Sequence, residues 1–182
     1  GIDGEPVSNE SEANAVFDGV SERYQEFAAL TEEVEDRPTV IAASPFSGTW
    51  YMPGADSTIA QLLADAGADF LWADESGTSI PLDFEVVFDE GADAEFWVNV
   101  NQFWQTTEDM LADDPRFADF RAYEADNIWN NNRRMNANGG NDYFESGAAN
   151  PDVILADLIA IFHPDLLPDH ELVYYQRLTT AE

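Results

Sequence analysis

Lysine and cysteine are both absent from these 182 residues. The basic complement is seven arginines against 37 aspartates and glutamates, a formal net charge of −30. A surface this negative repels phosphate backbones and anionic headgroups, which sets aside nucleic-acid and membrane-surface binding. Without cysteine there is no disulfide, thiolate metal site or cysteine nucleophile. No apolar run approaches the ~20 residues that a bilayer span requires. Gly-x-Ser-x-Gly elbows, Walker loops and Gly-x-Gly-x-x-Gly phosphate loops are missing as well, so an enzyme, such as an esterase-like α/β hydrolase, ranks third among the readings. The chain begins at Gly1 with no visible signal peptide, which reads as a processed or excised piece.

What is present is the material for a core. Apolar residues make up 45% and aromatics 13%, enough for one domain and too much for a disordered acidic tail. Acids stand where lysines would normally share the surface. Self-repulsion at this charge destabilises a fold in dilute buffer, and salt near 1 M screens it within ~3 Å. Adaptation to high salt accounts for this; the alternative is an acidic protein with an acidic or cationic partner.

Apolar residues from Ala13 to Leu30 recur at three- and four-residue steps, which predicts one long amphipathic helix over 10–34. Thr39–Ala43 is a short, β-rich apolar run, read as a buried parallel strand. Residues 44–55 read as a loop. Asp56 or Ser57 caps a helix through Ile59, Leu62 and Leu63, closed by Gly67. Strands are predicted at 69–72, 95–100, 127–129 and 172–175, with 79–82 leading into a helix over 83–90. Further helices are predicted at 107–112, at 117–125 and from Pro151, where Asn150 is the N-cap. Strands alternating with helices define a three-layer α/β sandwich with a mainly parallel central sheet.

Three constellations bear on function. His163 and His170 lie in a connector interrupted by Pro164 and Pro168, which reads as a structural turn rather than a metal site. Trp50, Tyr51 and Met52 follow a parallel strand, and ligands of open α/β sheets gather beyond the carboxyl ends of strands. They are either a ligand platform or a plug over the end of the sheet. The run from Asn130 to Gly147 is rich in Asn and Gly and holds Arg133 and Arg134, the only adjacent cations. Those guanidiniums either grip an anionic or carbonyl-rich ligand or pair internally with Asp142 or Glu145.

The order Arg37-Pro38-Thr39-Val40, Gly48-Thr49-Trp50-Tyr51-Met52-Pro53-Gly54, Leu63-Ala64-Asp65-Ala66-Gly67-Ala68-Asp69 and Leu82-Asp83-Phe84-Glu85 resembles the C-terminal lobe of ABC-transporter substrate-binding proteins. The matching group is the receptors with a helical backbone between lobes, which carry iron–siderophore complexes, haem and vitamin B12. The resemblance implies one lobe of a bilobal periplasmic-binding-protein fold. Residues 1–37 would be the end of the inter-lobe linker and its long helix, and residues 38–182 the C-terminal α/β lobe, with the N-terminal lobe absent.

It also implies a non-enzymatic receptor, periplasmic or otherwise extracytoplasmic, anchored by lipid if anchored at all, that delivers a metal chelate to an ABC permease. The metal arrives inside its chelator, so no cofactor and no direct metal ligation are expected. The implied ligand residues are Trp50, Tyr51, Ser79, Asn141, Asp142 and Tyr143, with Trp104 a candidate for the same rim. Arg133 and Arg134 are added on charge. Glu85 is implied as this lobe's permease-docking carboxylate. The alternative from another class is a single-lobe protein-interaction module without a small-molecule ligand.

Overall fold

The computed structural model describes residues 9–180. Helix α1 (Asn9–Thr31) leads into the first strand, β1 (Thr39–Ala42). A hairpin follows, β2 (Pro45–Phe46) and β3 (Thr49–Pro53), then α2 (Thr58–Asp65), β4 (Asp69–Phe70) and β5 (Ser79–Leu82). The second half contains α3 (Phe84–Gly91), β6 (Phe96–Val98), α4 (Thr107–Asp113), a 3-10 turn at Pro115–Asp119 and α5 (Arg121–Glu124). It finishes with β7 (Ile128–Asn130), α6 (Ser146–Ala149), α7 (Pro151–Phe162) and β8 (Gln176–Arg177).

The central sheet has the order β4-β1-β6-β7-β8, parallel except for the last strand. Alternation along each strand sends neighbouring side chains to opposite faces. Trp97 stacks on Trp50 at 5.4 Å and meets Phe120 at 5.0 Å on one face. Its neighbour Phe96 meets Phe162 of α7 edge-on at 5.2 Å on the other. Helices α1, α2 and α7 pack together on the Phe96 side. The aromatic face is covered by α3, the 3-10 turn and α5, with Gly91 of α3 so close that an added Cβ would lie 2.8 Å from Ile41 Cγ2. The layers are helix, sheet, helix: the mixed α/β fold with a mainly parallel sheet that the sequence predicts.

Four local readings change. The supposed loop 44–55 is a hairpin, and β3 pairs with β5 to make a second, antiparallel sheet. Ser47 and Gly48 turn it with φ of 51° and 86°, the positive pair that two-residue hairpins favour. Trp50 and Met52 point inward and Tyr51 outward. The helix predicted at 117–125 is broken by Phe120, extended at φ −82°, ψ 135°. Residues 172–175 form no strand, because their backbone N–H groups turn to the Asp157 carboxylate: Val173 at 3.0 Å, Tyr174 at 2.7 Å and Tyr175 at 3.1 Å. Asn150 precedes α7 but makes no side-chain cap; its Nδ2 donates to Ser146 O at 2.7 Å.

Candidate functional site

From β1 the chain steps to one side, to β4, and then crosses to the other, to β6 and β7. The reversal of strand order lies between β1 and β6, and the crevice beyond their carboxyl ends is where open α/β sheets bind ligands. Both strands leave the sheet there through residues in the left-handed region, Ala43 at φ 62° and Asn99 at φ 52°. Their backbone N–H groups still reach the neighbouring strands, Ala43 to Val98 O at 3.1 Å and Asn99 to Trp129 O at 3.0 Å.

A cleft of about 480 Å³ opens beside this point. Its wall is built from the first turn of α2 (Ser57 to Ile59), the strand-end amides Asn99 and Asn131, the aromatic pair Tyr143–Phe144, and Pro151 and Ile154 of α7. Ser57 Oγ caps α2 by accepting from Ala60 N at 3.1 Å. Behind the wall, Tyr175 donates from its hydroxyl to Asn99 Oδ1 at 2.6 Å. The Tyr143 and Tyr175 rings meet edge-on at 5.8 Å. Burial raises both phenols, and Tyr175 is pushed further by Tyr143 and by the charge of Asp157. Both therefore stay protonated, Tyr143 as a neutral polar group in the wall of the cleft and Tyr175 behind it. Phe144 stands 61% exposed at its mouth.

The residues singled out in the sequence separate. Trp50 is fully buried, and its Nε1 donates to Ala42 O at 2.9 Å; it belongs to the core, not to a ligand platform, because the alternation of β3 turns it onto Trp97. Trp104 is buried too, with Nε1 donating to Asp113 Oδ2 at 2.6 Å, and it lies under a second hollow beside Phe46 and Arg116. Tyr51 and Ser79 are exposed on the second sheet, away from the cleft.

In the late loop, Arg134 Nη2 meets Asp142 Oδ2 at 2.8 Å, the internal pairing that the sequence left open. Arg133 is exposed and fixed through its backbone N–H to Tyr174 O. Asn141 is buried, with Oδ1 accepting from Tyr143 N at 3.1 Å, so it shapes the turn that carries Tyr143. Tyr143 itself lines the cleft. Asn99, Asn131 and Phe144 were not anticipated; the signal for the first two was their position just after the apolar runs of β6 and β7.

The histidines are structural. His163 Nε2 lies 3.0 Å from Gly67 O and His170 Nε2 2.7 Å from Asp157 Oδ1. Among the described residues no group of three or more His, Asp or Glu is placed to hold a metal ion. Glu85 sits in the first turn of α3 with its side chain 79% exposed, and Arg116 Nη1 approaches it at 3.5 Å. That guanidinium lies over the Phe84 ring and is held chiefly by Asp114 at 2.7 Å.

A mainly parallel sheet with a cleft beyond its strand ends is the arrangement in which α/β lobes hold ligands. Residues 4–130 match the periplasmic binding protein family, and the chain belongs to it. An uncharacterized lipoprotein of Methanocaldococcus jannaschii is 23% identical over 163 residues, covering 87% of this chain and 36% of its own length. The TroA-like periplasmic binding protein FepB of Veillonella parvula superposes with a TM-score of 0.67 at 13% identity, over 93% of this chain and 57% of that one. Helicobacter pylori CeuE, solved with Ni(II) bound, gives 0.64 at 13% identity, over 89% of this chain and 49% of that one. This chain thus spans about a third of the curated relative and about half of the solved ones, and its fold is that of a single lobe.

Proposed function

We propose that this chain is one wall of the ligand cleft of an ABC-importer substrate-binding protein, taking a metal chelate of the iron–siderophore, haem or cobalamin type. The observation that carries the reading is the apolar cleft at the strand ends of β6 and β7, rimmed by Tyr143 and Phe144. Aromatic and aliphatic walls suit a bulky ligand whose metal is already enclosed, and no protein ligation is then needed. The protein works outside the cytoplasmic membrane and catalyses no reaction; the curated relative's description as a lipoprotein favours a lipid anchor for the whole protein.

Titration in high salt with a ferric hydroxamate, haem and cobalamin tests it, with quenching of tryptophan fluorescence as the signal. One wall covers only part of a ligand, whereas good pockets cover ~70–90%. This chain should therefore bind weakly, and the same chain joined to a second lobe more tightly. Phe144→Ala should weaken binding by roughly 1–3 kcal/mol. Absence of quenching by every probe would favour the protein-interaction module instead.

Docking to the permease falls to Glu85, exposed at the positive end of α3 and free to accept a bidentate arginine in exchange for its long contact with Arg116. Glu85→Arg in the complete importer should abolish most transport while leaving chelate affinity intact, with Asp89→Arg as the charge control. Wild-type transport by a folded Glu85→Arg protein would remove Glu85 from the docking surface.

A further inference from the structure

The strand-end cleft differs from the rest of this surface in charge. None of its lining side chains, from Ser57 and Thr58 through Asn99 and Asn131 to Tyr143 and Ile154, is ionic, in a chain where 24% of residues are. A patch drawn at random from this sequence would carry several carboxylates. This wall of the cleft presents no cation to an anionic ligand, and the net charge of −30 around it repels one.

The second observation concerns the run Asn130-Asn131-Asn132. The outer two amides are tied down. Asn130 Nδ2 donates to Asn101 O at 2.6 Å and to Trp104 O at 3.1 Å. Asn132 Nδ2 donates to Gln102 O and Trp104 O, and its Oδ1 accepts from Gln176 Nε2 at 2.8 Å. Asn131, one residue past the end of β7, instead lines the cleft. It is only 5% exposed. Its backbone N–H is taken by Asn130 Oδ1, but its side-chain amide has no protein partner among the described residues. The amide is not fully enclosed, so solvent reaches it in the open cleft, and a ligand with accessible oxygens takes the place of that solvent.

We propose that the cleft selects an uncharged, oxygen-bearing chelate and that Asn131 is its hydrogen-bonding anchor, with Nδ2 donating to a ligand oxygen. The inference rests on the metal-chelate reading above and narrows it. In a ferric tris-hydroxamate three singly negative groups cancel the metal's charge, and the oxygens that bind the iron keep lone pairs that accept a hydrogen bond from outside. A ferric tris-catecholate stays trianionic, and this wall of the cleft has nothing to pair with it.

The test titrates this chain in about 1 M salt, where the Debye length of ~3 Å removes long-range repulsion and leaves the cleft to discriminate. The probes are ferrichrome, a neutral ferric tris-hydroxamate, and the ferric complex of a tricatecholate. Ferrichrome should bind at least ~10-fold tighter. Equal or tighter binding of the tricatecholate, or binding of haem alone, would overturn the inference and leave the metal-chelate reading standing. No binding by any of these or by cobalamin would overturn both.

Asn131→Leu keeps the shape and removes the polar atoms. It should leave the melting temperature equal or higher and weaken ferrichrome about tenfold. Asn131→Asp, nearly isosteric, should weaken it too, by replacing the donor with an acceptor. Unchanged ferrichrome affinity in both variants would remove Asn131 from the site.

Discussion

Asp157 is a fully buried carboxylate in the middle of an apolar helix. It accepts from three consecutive backbone N–H groups and lies 2.7 Å from His170 Nε2, so one side chain does for residues 173–175 what a neighbouring strand would otherwise do. Asp157→Ala orphans those donors together. It should cost about 3–5 kcal/mol, read as a lower urea midpoint, the scale of breaking a buried hydrogen-bonded charge. Because Tyr175 is fixed this way, and Tyr175 holds Asn99, the same change should loosen the back of the cleft. None of this was legible beforehand: in a chain with 37 acids, one carboxylate that is structural looks like its solvated neighbours. Trp50 failed for a related reason. A tryptophan after a parallel strand has the same sequence signature whether it stacks on a ligand or on Trp97, and only the direction in which β3 turns it decides.

At the scale of elements, periodicity did better. The helix at α2 with its Ser57 cap, the parallel strands β1, β6 and β7, and α7 after Asn150-Pro151 were readable because each buries a face whose spacing is fixed by backbone geometry. The antiparallel hairpin was missed because its prolines and aromatics looked like loop chemistry, and the last strand was displaced because a side chain competed for its backbone. Helix α1 is clamped to α2 by Tyr24, whose hydroxyl donates to Asp65 Oδ2 at 2.6 Å. Burial raises this phenol well above its ordinary value, and the hydrogen bond and charge of Asp65 raise it further. Unfolded tyrosine ionises near ~10. The contact is therefore fully stabilising below that pH and is lost as pH rises above it toward the native value, because the folded chain then holds the extra proton. Urea unfolding between pH 8 and about 11 should show falling stability, and Tyr24→Phe should flatten part of that slope.

The whole molecule is governed by its charge. Arg23 meets Asp152, Arg116 Asp114, Arg121 Glu95 and Arg134 Asp142. Seven arginines cannot neutralise 37 acids, and the excess repels itself across the surface. If the acidity is an adaptation to brine, the melting temperature should climb steeply from ~0.1 M to ~2 M salt, past the point at which screening saturates. A flat response would instead assign the acids to a cationic partner. The cleft adds a consequence of a different kind, one of timing. Its wall draws on residues as far apart in sequence as Ser57 and Ile154, with Tyr175 behind them later still. On a ribosome, β1, β6 and β7 emerge and can pair while the wall is still unmade. A chelate can then reward only the closing step, the docking of α7 and the segment after it, so supplying ligand during synthesis should rescue variants that fail late and leave those that fail in the sheet untouched.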